Sequence, residues 1–291
     1  MKLFIIALSS LVFASGCTEQ LRRAGIDERQ LQAVGGVAST LARAETTPAE
    51  EAQLGQAAAA TLLGTAPLVT DREMMQYINQ LGGWIAKQTG RSDINWRFGV
   101  INSSNVNAFA APDGYVFVTK GLLRELRDES ELAGVVAHEI AHVVKRHYVV
   151  AMRKKDTTNA LTNLAATTAQ RNTRNADIVA QPLANLAQNL YSSGLDKGDE
   201  YEADRLGVVY AARAGYDPYG LVRVIAMYAG NSSNHDFELL FSTHPAPQDR
   251  LSALDKTMGD RLDAFESKSI SDSKSFQRMK QKAIRLADPK N

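Results

Sequence analysis

Hydrophobic positions repeat along this chain with two different periods. In residues 71–90 they recur every three or four positions, which predicts a helix with Asp71 as its N-cap. Residues 94–103 alternate between apolar and polar side chains, which predicts a strand. Residues 107–123 predict two extended pieces around a Pro-Asp-Gly turn, the second with the sequence YVFVT. Helices and strands are therefore expected in the same domain.

The most apolar helical pattern lies in residues 128–147, with the sequence DESELAGVVAHEIAHVVKRH. Acidic residues begin this stretch and basic residues end it, which suits the dipole of one continuous helix. Further helices are predicted over residues 196–215, after Pro218 and from about Ala246. The predicted fold class is α+β, mostly helical with a small β-sheet.

The chain begins with MKLFIIALSSLVFASGC, which has the pattern of a signal peptide. Its apolar stretch is too short to span a bilayer comfortably. Cys17 is the only cysteine, so it cannot form an internal disulfide. The pattern resembles a bacterial lipobox, which implies cleavage before Cys17 and lipid attachment to it, and Thr18 favours the outer membrane. The alternative is an ordinary secretory signal followed by a free thiol.

Four parts are expected along the chain. Residues 1–16 are a signal peptide, residues 17–50 a lipid-anchored tether, residues 51–265 the main domain and residues 266–291 a polar C-terminal tail. Residues 158–190 are rich in Ala, Asn, Thr and Gln, and none of this stretch is apolar enough for a bilayer. It is expected to form a polar helical hairpin or a loop.

The composition excludes few classes of function, so the prediction of chemistry depends on one motif. A formal net charge of +1, without runs of like charge, argues against a nucleic-acid partner. A hydrophobic content of 44% is enough for a sizeable core. Three of the five histidines lie within residues 135–147, in and just after the sequence HEIAH.

Residues four apart on a helix share a face, so His138 and His142 can direct their rings at one metal ion. Glu139 lies one position further round, beside the ion, where a general base can take a proton from metal-bound water. His147 is expected to point away on the same helix, and we exclude it as a ligand. The alternative is a core helix with satisfied histidines, but its apolar surroundings would make an unpaired buried carboxylate very costly.

A catalytic zinc site takes three protein ligands and keeps one position open. The sequence DEYEADRLG offers Glu200 and Asp204 one turn apart on the next long helix. The helix has apolar positions as well, so some of its acids are expected to face inward. The residues by themselves do not choose between these acids and the remaining histidines.

The motifs HEIAH, EYEAD and HPAPQDRL, in this order, resemble the gluzincin zinc peptidases of the HtpX and CAAX prenyl protease type, in particular their periplasmic lipoprotein members. The resemblance spans roughly residues 70 to 257. It implies a mostly helical gluzincin metallopeptidase domain with a small β-sheet beside the HExxH helix. The membrane-embedded relatives have transmembrane helices between the two zinc-binding helices, whereas residues 158–190 of this chain are polar. We therefore do not infer intramembrane proteolysis for this chain from the resemblance.

The resemblance also implies roles for single residues. His138, His142 and Glu200 would be the ligands of one Zn²⁺, and Glu139 the catalytic base. Asp204 would orient a ligand histidine. Glu202 falls at a variable position and receives no role. His244 and Arg250 match the family's late His-Pro and Arg positions and are assigned to catalysis.

These expectations combine into a zinc endopeptidase tethered to the periplasmic side of a bacterial envelope by Cys17, with polypeptide substrates, misfolded or unassembled envelope proteins in particular. One alternative is a catalytically weak or latent chaperone or binding module on the same fold, and another is a zinc aminopeptidase. His244 has three possible roles: it blocks the metal's open position, it stabilises the oxyanion, or it packs its loop. A substrate strand is expected to pair with the edge of YVFVT.

Overall fold

The computed structural model describes residues 46–153, 195–230, 243–244, 246–266 and 269–288. The predicted signal peptide, Cys17 and most of the tether lie outside these ranges, as does the predicted hairpin or loop of residues 158–190. The folded part begins before the boundary expected at residue 51, because the first described helix already starts at residue 48.

The described residues form the predicted mixture of helices with a small sheet. The helices are α1 (Pro48–Thr65), α2 (Arg72–Ala86), α3 (Lys120–Glu125), α4 (Glu129–Val144), α5 (Lys197–Arg213), α6 (Tyr219–Gly230), α7 (Pro247–Met258), α8 (Asp263–Glu266) and α9 (Lys274–Arg285). The strands are β1 (Arg97–Ile101), β2 (Ala108–Ala111) and β3 (Tyr115–Thr119). The α+β class is confirmed. Within the described ranges, no helix combines the length and apolarity needed to cross a bilayer.

Side-chain caps explain where the central helices begin. Asp71 accepts a hydrogen bond from the backbone N–H of Met74 at 2.9 Å, as predicted for the N-cap of α2. Asp128 caps α4 in the same way, accepting from the backbone N–H of Glu131 at 3.0 Å. Each carboxylate satisfies a backbone donor that the first helical turn leaves without a partner.

The sheet has the strand order β1-β3-β2, with β1 parallel and β2 antiparallel to β3. A turn at Pro112–Gly114 reverses the chain between β2 and β3, with Asp113 and Gly114 at φ of 61° and 89°. The sequence YVFVT is β3, the central strand, and both of its edges are occupied. The expectation that a substrate strand pairs with YVFVT is therefore wrong, because an alternating pattern does not reveal which strand lies in the middle.

Helix α4 lies at the centre of the domain. Every residue from Glu129 to Val143 is buried. The helix packs against α5, α6, α2 and the sheet. It approaches α5 closely, since a Cβ on Gly207 would come within 2.9 Å of the backbone nitrogen of His138. The small sheet lies against this helix, as the family resemblance implied.

The segment treated above as a polar C-terminal tail contributes to the core through α9. Phe276, Met279 and Ala283 share one face of this helix and are buried. Lys120, itself fully buried, donates to the carbonyl of Ala287 at 2.7 Å. Because the other face of α9 is charged, composition alone describes the segment as polar, whereas the spacing of its apolar residues explains its packing.

Candidate active site

Two histidines of α4 converge as their spacing predicts. The Nε2 atoms of His138 and His142 lie 3.0 Å apart, and both rings are buried. Helix α5 brings Glu200 to the same point. Its carboxylate oxygens lie 3.6 Å from His138 Nε2 and 3.5 Å from His142 Nε2. The proposed metal ligands of two separate motifs are therefore gathered in one cluster.

His244 joins this cluster from the segment before α7. Its Nδ1 lies 3.2 Å and 3.1 Å from the two carboxylate oxygens of Glu200, and its Nε2 lies 3.5 Å from Oε1 of Glu139. One ligand atom from each of His138, His142, Glu200 and His244 lies within 4.8 Å of the others. Glu139 is buried beside this set without belonging to it, which agrees with its predicted position beside the ion.

The charges of the cluster fit a divalent cation. Glu139, Glu200 and Asp204 are almost fully buried, and the guanidinium of Arg250 is buried beside them. Three carboxylates and one guanidinium leave an excess of two negative charges when the histidines are neutral, which one Zn²⁺ would balance. Among the described residues, Oε2 of Glu139 and Nε2 of His244 are buried without a hydrogen bond. The donor set of imidazoles and a carboxylate is typical of zinc.

Asp204 links the metal cluster to Arg250. Its Oδ1 lies 2.9 Å from Nδ1 of His138, and both side chains are buried. Arg250 donates from Nε to Asp204 Oδ2 at 2.8 Å and from Nη2 to Oδ1 at 2.5 Å. Its Nη1 lies 3.4 Å from Oε2 of Glu200. Each of the three guanidinium nitrogens therefore faces a carboxylate.

Burial and neighbouring charges divide the carboxylates into two kinds. Burial raises the pKa of Glu139, against the opposing influence of His244 and His138. Burial would also raise the pKa of Glu200, but the charges of His244 and Arg250 outweigh it and lower that pKa to about 2. The metal-facing carboxylate is thus held ionised, while Glu139 is the carboxylate more easily protonated.

The space around these groups is small. A cavity of about 20 Å³ is lined by ten residues: Ala108, Val135, His138, Glu139, Leu221, Val224, Ile225, Tyr228, His244 and Arg250. This volume holds about one water molecule, so a peptide would need part of the lining to move.

Two residues that sequence reasoning left aside, His147 and Glu202, also meet at this site. Helix α4 ends at Val144, and Arg146 takes a left-handed conformation with φ of 59°, so His147 turns back toward His142. The two Nδ1 atoms lie 2.9 Å apart, and Nε2 of His147 lies 3.1 Å from Oε2 of Glu202. The expectation that His147 points away assumed an unbroken helix and is wrong. Neither a glycine nor a proline marks the break.

Comparison with known proteins is consistent with this geometry. The model of peptidase family M48 matches residues 70–258, so the chain belongs to this family of metallopeptidases. The family uses zinc, and the cluster described above is able to hold such an ion. The resemblance to HtpX-type peptidases is confirmed.

Individual relatives cover different parts of the chain. A beta-barrel assembly-enhancing protease of Escherichia coli is 33% identical over 209 residues, which are 69% of this chain and 42% of that protein. A mitochondrial metalloendopeptidase of Schizosaccharomyces pombe is 29% identical over 62% of this chain and 52% of its own length. A protease HtpX homolog of Salinibacter ruber is 30% identical over 55% of this chain and 67% of its own length. The chain thus spans less than half of the beta-barrel assembly-enhancing protease that it matches.

The geometry separates the two glutamates of the EYEAD motif. Glu200→Gln removes the buried carboxylate that faces both histidines and should weaken zinc binding by about 100-fold or more. Glu202→Gln keeps an amide oxygen beside His147 and should weaken it by less than about tenfold. Competition with a chelator of known affinity measures both constants. A Glu202→Gln protein poorer in metal than Glu200→Gln would contradict this assignment.

Proposed function

We propose that this chain is a zinc-dependent endopeptidase that hydrolyses peptide bonds of bacterial envelope proteins. The position of Glu139 carries the proposal. Its carboxylate is buried beside a four-residue metal-ligand cluster and lies 3.5 Å from His244 at the nearest oxygen, without being a ligand itself. A buried carboxylate without a hydrogen bond at its second oxygen is costly to maintain, which favours a chemical role for it.

His138, His142 and Glu200 would hold the ion, and His244 would be a fourth ligand in a closed, latent state of the enzyme. When bound there, zinc supplies Lewis-acid polarisation of the scissile carbonyl and lowers the pKa of the attacking water. Glu139 takes the proton of that water and delivers it to the leaving amine. Its raised pKa suits a group that must accept a proton and then release it near neutral pH.

Asp204 and Arg250 are positioning residues in this proposal. Asp204 faces Nδ1 of His138, and Arg250 holds Asp204 and Glu200 in place through its three nitrogens. Arg250 was expected to contribute to catalysis directly, but its commitment to two carboxylates argues against a role as oxyanion donor. Its buried charge instead keeps Glu200 and Asp204 ionised.

The alternative of a latent or weakly active chaperone shares this fold and site. The small cavity at the site, about 20 Å³, agrees with a latent state. An intact base beside an intact metal cluster favours hydrolysis over binding alone, because binding has no need of Glu139. We infer latency that can be relieved, in preference to an inactive module.

Envelope substrates and an anchored location are supported by different observations. The bacterial relatives are named for enhancing β-barrel assembly, which supports substrates among misfolded or unassembled envelope proteins. The lipobox-like sequence ending at Cys17 supports a lipid anchor, on the periplasmic side of the outer membrane. The anchor and the natural substrates are proposals that do not depend on the zinc chemistry.

Glu139→Gln tests the proposed activity. The variant should retain zinc and its fold, because Glu139 is not a ligand, and lose casein cleavage by about 10²-fold to 10⁴-fold. Zinc content, unfolding temperature and cleavage are measured together with those of the wild type. Cleavage by the zinc-loaded variant within tenfold of wild type would remove Glu139 from the role of base.

His244→Ala tests the closed state. In the proposed closed state, His244 occupies the metal position that a substrate needs for most of the time. Its removal should therefore raise basal cleavage at equal zinc occupancy by roughly tenfold or more. A fall in cleavage would assign His244 to oxyanion stabilisation, and cleavage within twofold of wild type between pH 6 and 8 would leave only packing.

Cys17→Ser tests the anchor. A serine cannot receive the thioether-linked lipid, so the variant should be recovered as a soluble protein or an uncleaved precursor. Membrane fractionation and intact mass measure the difference. An unchanged mass and unchanged membrane fraction would exclude lipid attachment at Cys17.

A further inference from the structure

A row of hydrogen-bonding groups leads outward from one of the proposed zinc ligands. Nδ1 of His142 lies 2.9 Å from Nδ1 of His147. Nε2 of His147 lies 3.1 Å from Oε2 of Glu202, and the other carboxylate oxygen of Glu202 lies 2.8 Å from Nζ of Lys145. His142 and His147 are buried, whereas Glu202 and Lys145 are partly exposed. The row therefore connects the metal cluster to a surface ion pair.

Only one assignment of protons satisfies this row when His142 binds a metal. Its Nε2 lies 3.0 Å from Nε2 of His138, inside the cluster, so a metal-binding Nε2 must carry no proton. The proton of His142 then resides on Nδ1 and is donated to Nδ1 of His147. His147 must accept there, so its own proton resides on Nε2 and is donated to Glu202, an ionised carboxylate that can only accept.

The opposite assignment fails at both ends. If His147 carried its proton on Nδ1, His142 would have to accept at Nδ1 and carry a proton on Nε2, directed into the metal cluster. Nε2 of His147 would then face the carboxylate of Glu202 with two acceptors and no proton between them. The carboxylate at one end of the row thus determines which nitrogen of His142 is available at the other end.

We infer that His147, oriented by Glu202, is a positioning residue that fixes the tautomer and the ring orientation of the zinc ligand His142. A ligand histidine commonly donates its second N–H to a carboxylate or carbonyl. In this chain another histidine stands between the ligand and the carboxylate. The sharp turn at Arg146 places it there, because an unbroken helix would carry residue 147 to another face. The inference rests on the proposed function insofar as it requires zinc in the cluster.

His147→Phe removes the acceptor and keeps a ring of similar size. It should weaken zinc binding by about 10-fold to 100-fold, the range found when partners of metal ligands are lost. His147→Asn places an amide oxygen near the position of Nδ1 and should recover zinc binding to within about threefold of wild type. Zinc affinity of the full-length protein is measured by chelator competition. The visible absorption of the Co²⁺-substituted protein should change in His147→Phe and return in His147→Asn.

Glu202→Ala tests the same row of hydrogen bonds while both buried histidine rings stay in place. It should weaken zinc binding in the wild-type background, and add less than about a twofold effect to His147→Phe, because both act through the same row. Asp199→Ala is the matched control. It removes a carboxylate 3.8 Å from the same nitrogen of His147, beyond hydrogen-bond reach, and should stay within about twofold of wild type.

The outcomes separate this inference from the proposed function. A His147→Phe protein that binds zinc within twofold of wild type, with an unchanged Co²⁺ spectrum, would overturn the inference. Loss of affinity without recovery in His147→Asn, or full additivity with Glu202→Ala, would also overturn it, in favour of packing alone. A wild-type chain that binds no zinc would contradict the proposed function instead.

Discussion

The site depends on the burial of three carboxylates between α4, α5 and α7. Glu139, Glu200 and Asp204 are each at most 1% exposed, and removing one such group from water costs several kcal/mol without compensation. Arg250 compensates part of this cost by binding Asp204 and approaching Glu200. The remaining excess of negative charge makes the cluster a site for a divalent cation. The position of α7 against α5 therefore follows from electrostatics as much as from apolar packing.

Such short distances between side chains require the two central helices to approach closely. Gly207 on α5 faces the backbone of His138, where an added Cβ would lie 2.9 Å from the nitrogen. Glu200 lies two turns before Gly207, and Asp204 one turn before it, so all three share a face of α5. A larger residue at position 207 would separate the helices and move both carboxylates away from the histidines. The glycine thus connects the packing of the core with the geometry of the site.

The parts of the site that sequence reasoning predicted are those set by helical periodicity. His138, Glu139 and His142 follow from their spacing within α4, and Glu200 and Asp204 from theirs within α5, once the family resemblance had selected the motif. Periodicity assumes that a helix continues. It failed at His147 because a left-handed residue, Arg146, ends the regular pattern without a glycine or a proline. The central position of YVFVT could not be predicted either, since strand order depends on long-range pairing.

The segment before α7 contains one further feature that bears on the closed state. Ala246 has a φ of 60°, a left-handed conformation that costs a residue other than glycine about 1 kcal/mol or more. This residue lies between His244, which is in the metal cluster, and α7, which Arg250 holds against Asp204. The interactions at both sides keep Ala246 in its strained conformation. Withdrawal of His244 would release one side and allow the backbone at Ala246 to relax, while Arg250 keeps α7 in place. If His244 is withdrawn as proposed, relief of strain at Ala246 would offset part of the cost of opening the site, and the ion pair between Arg250 and Asp204 would keep α7 against α5.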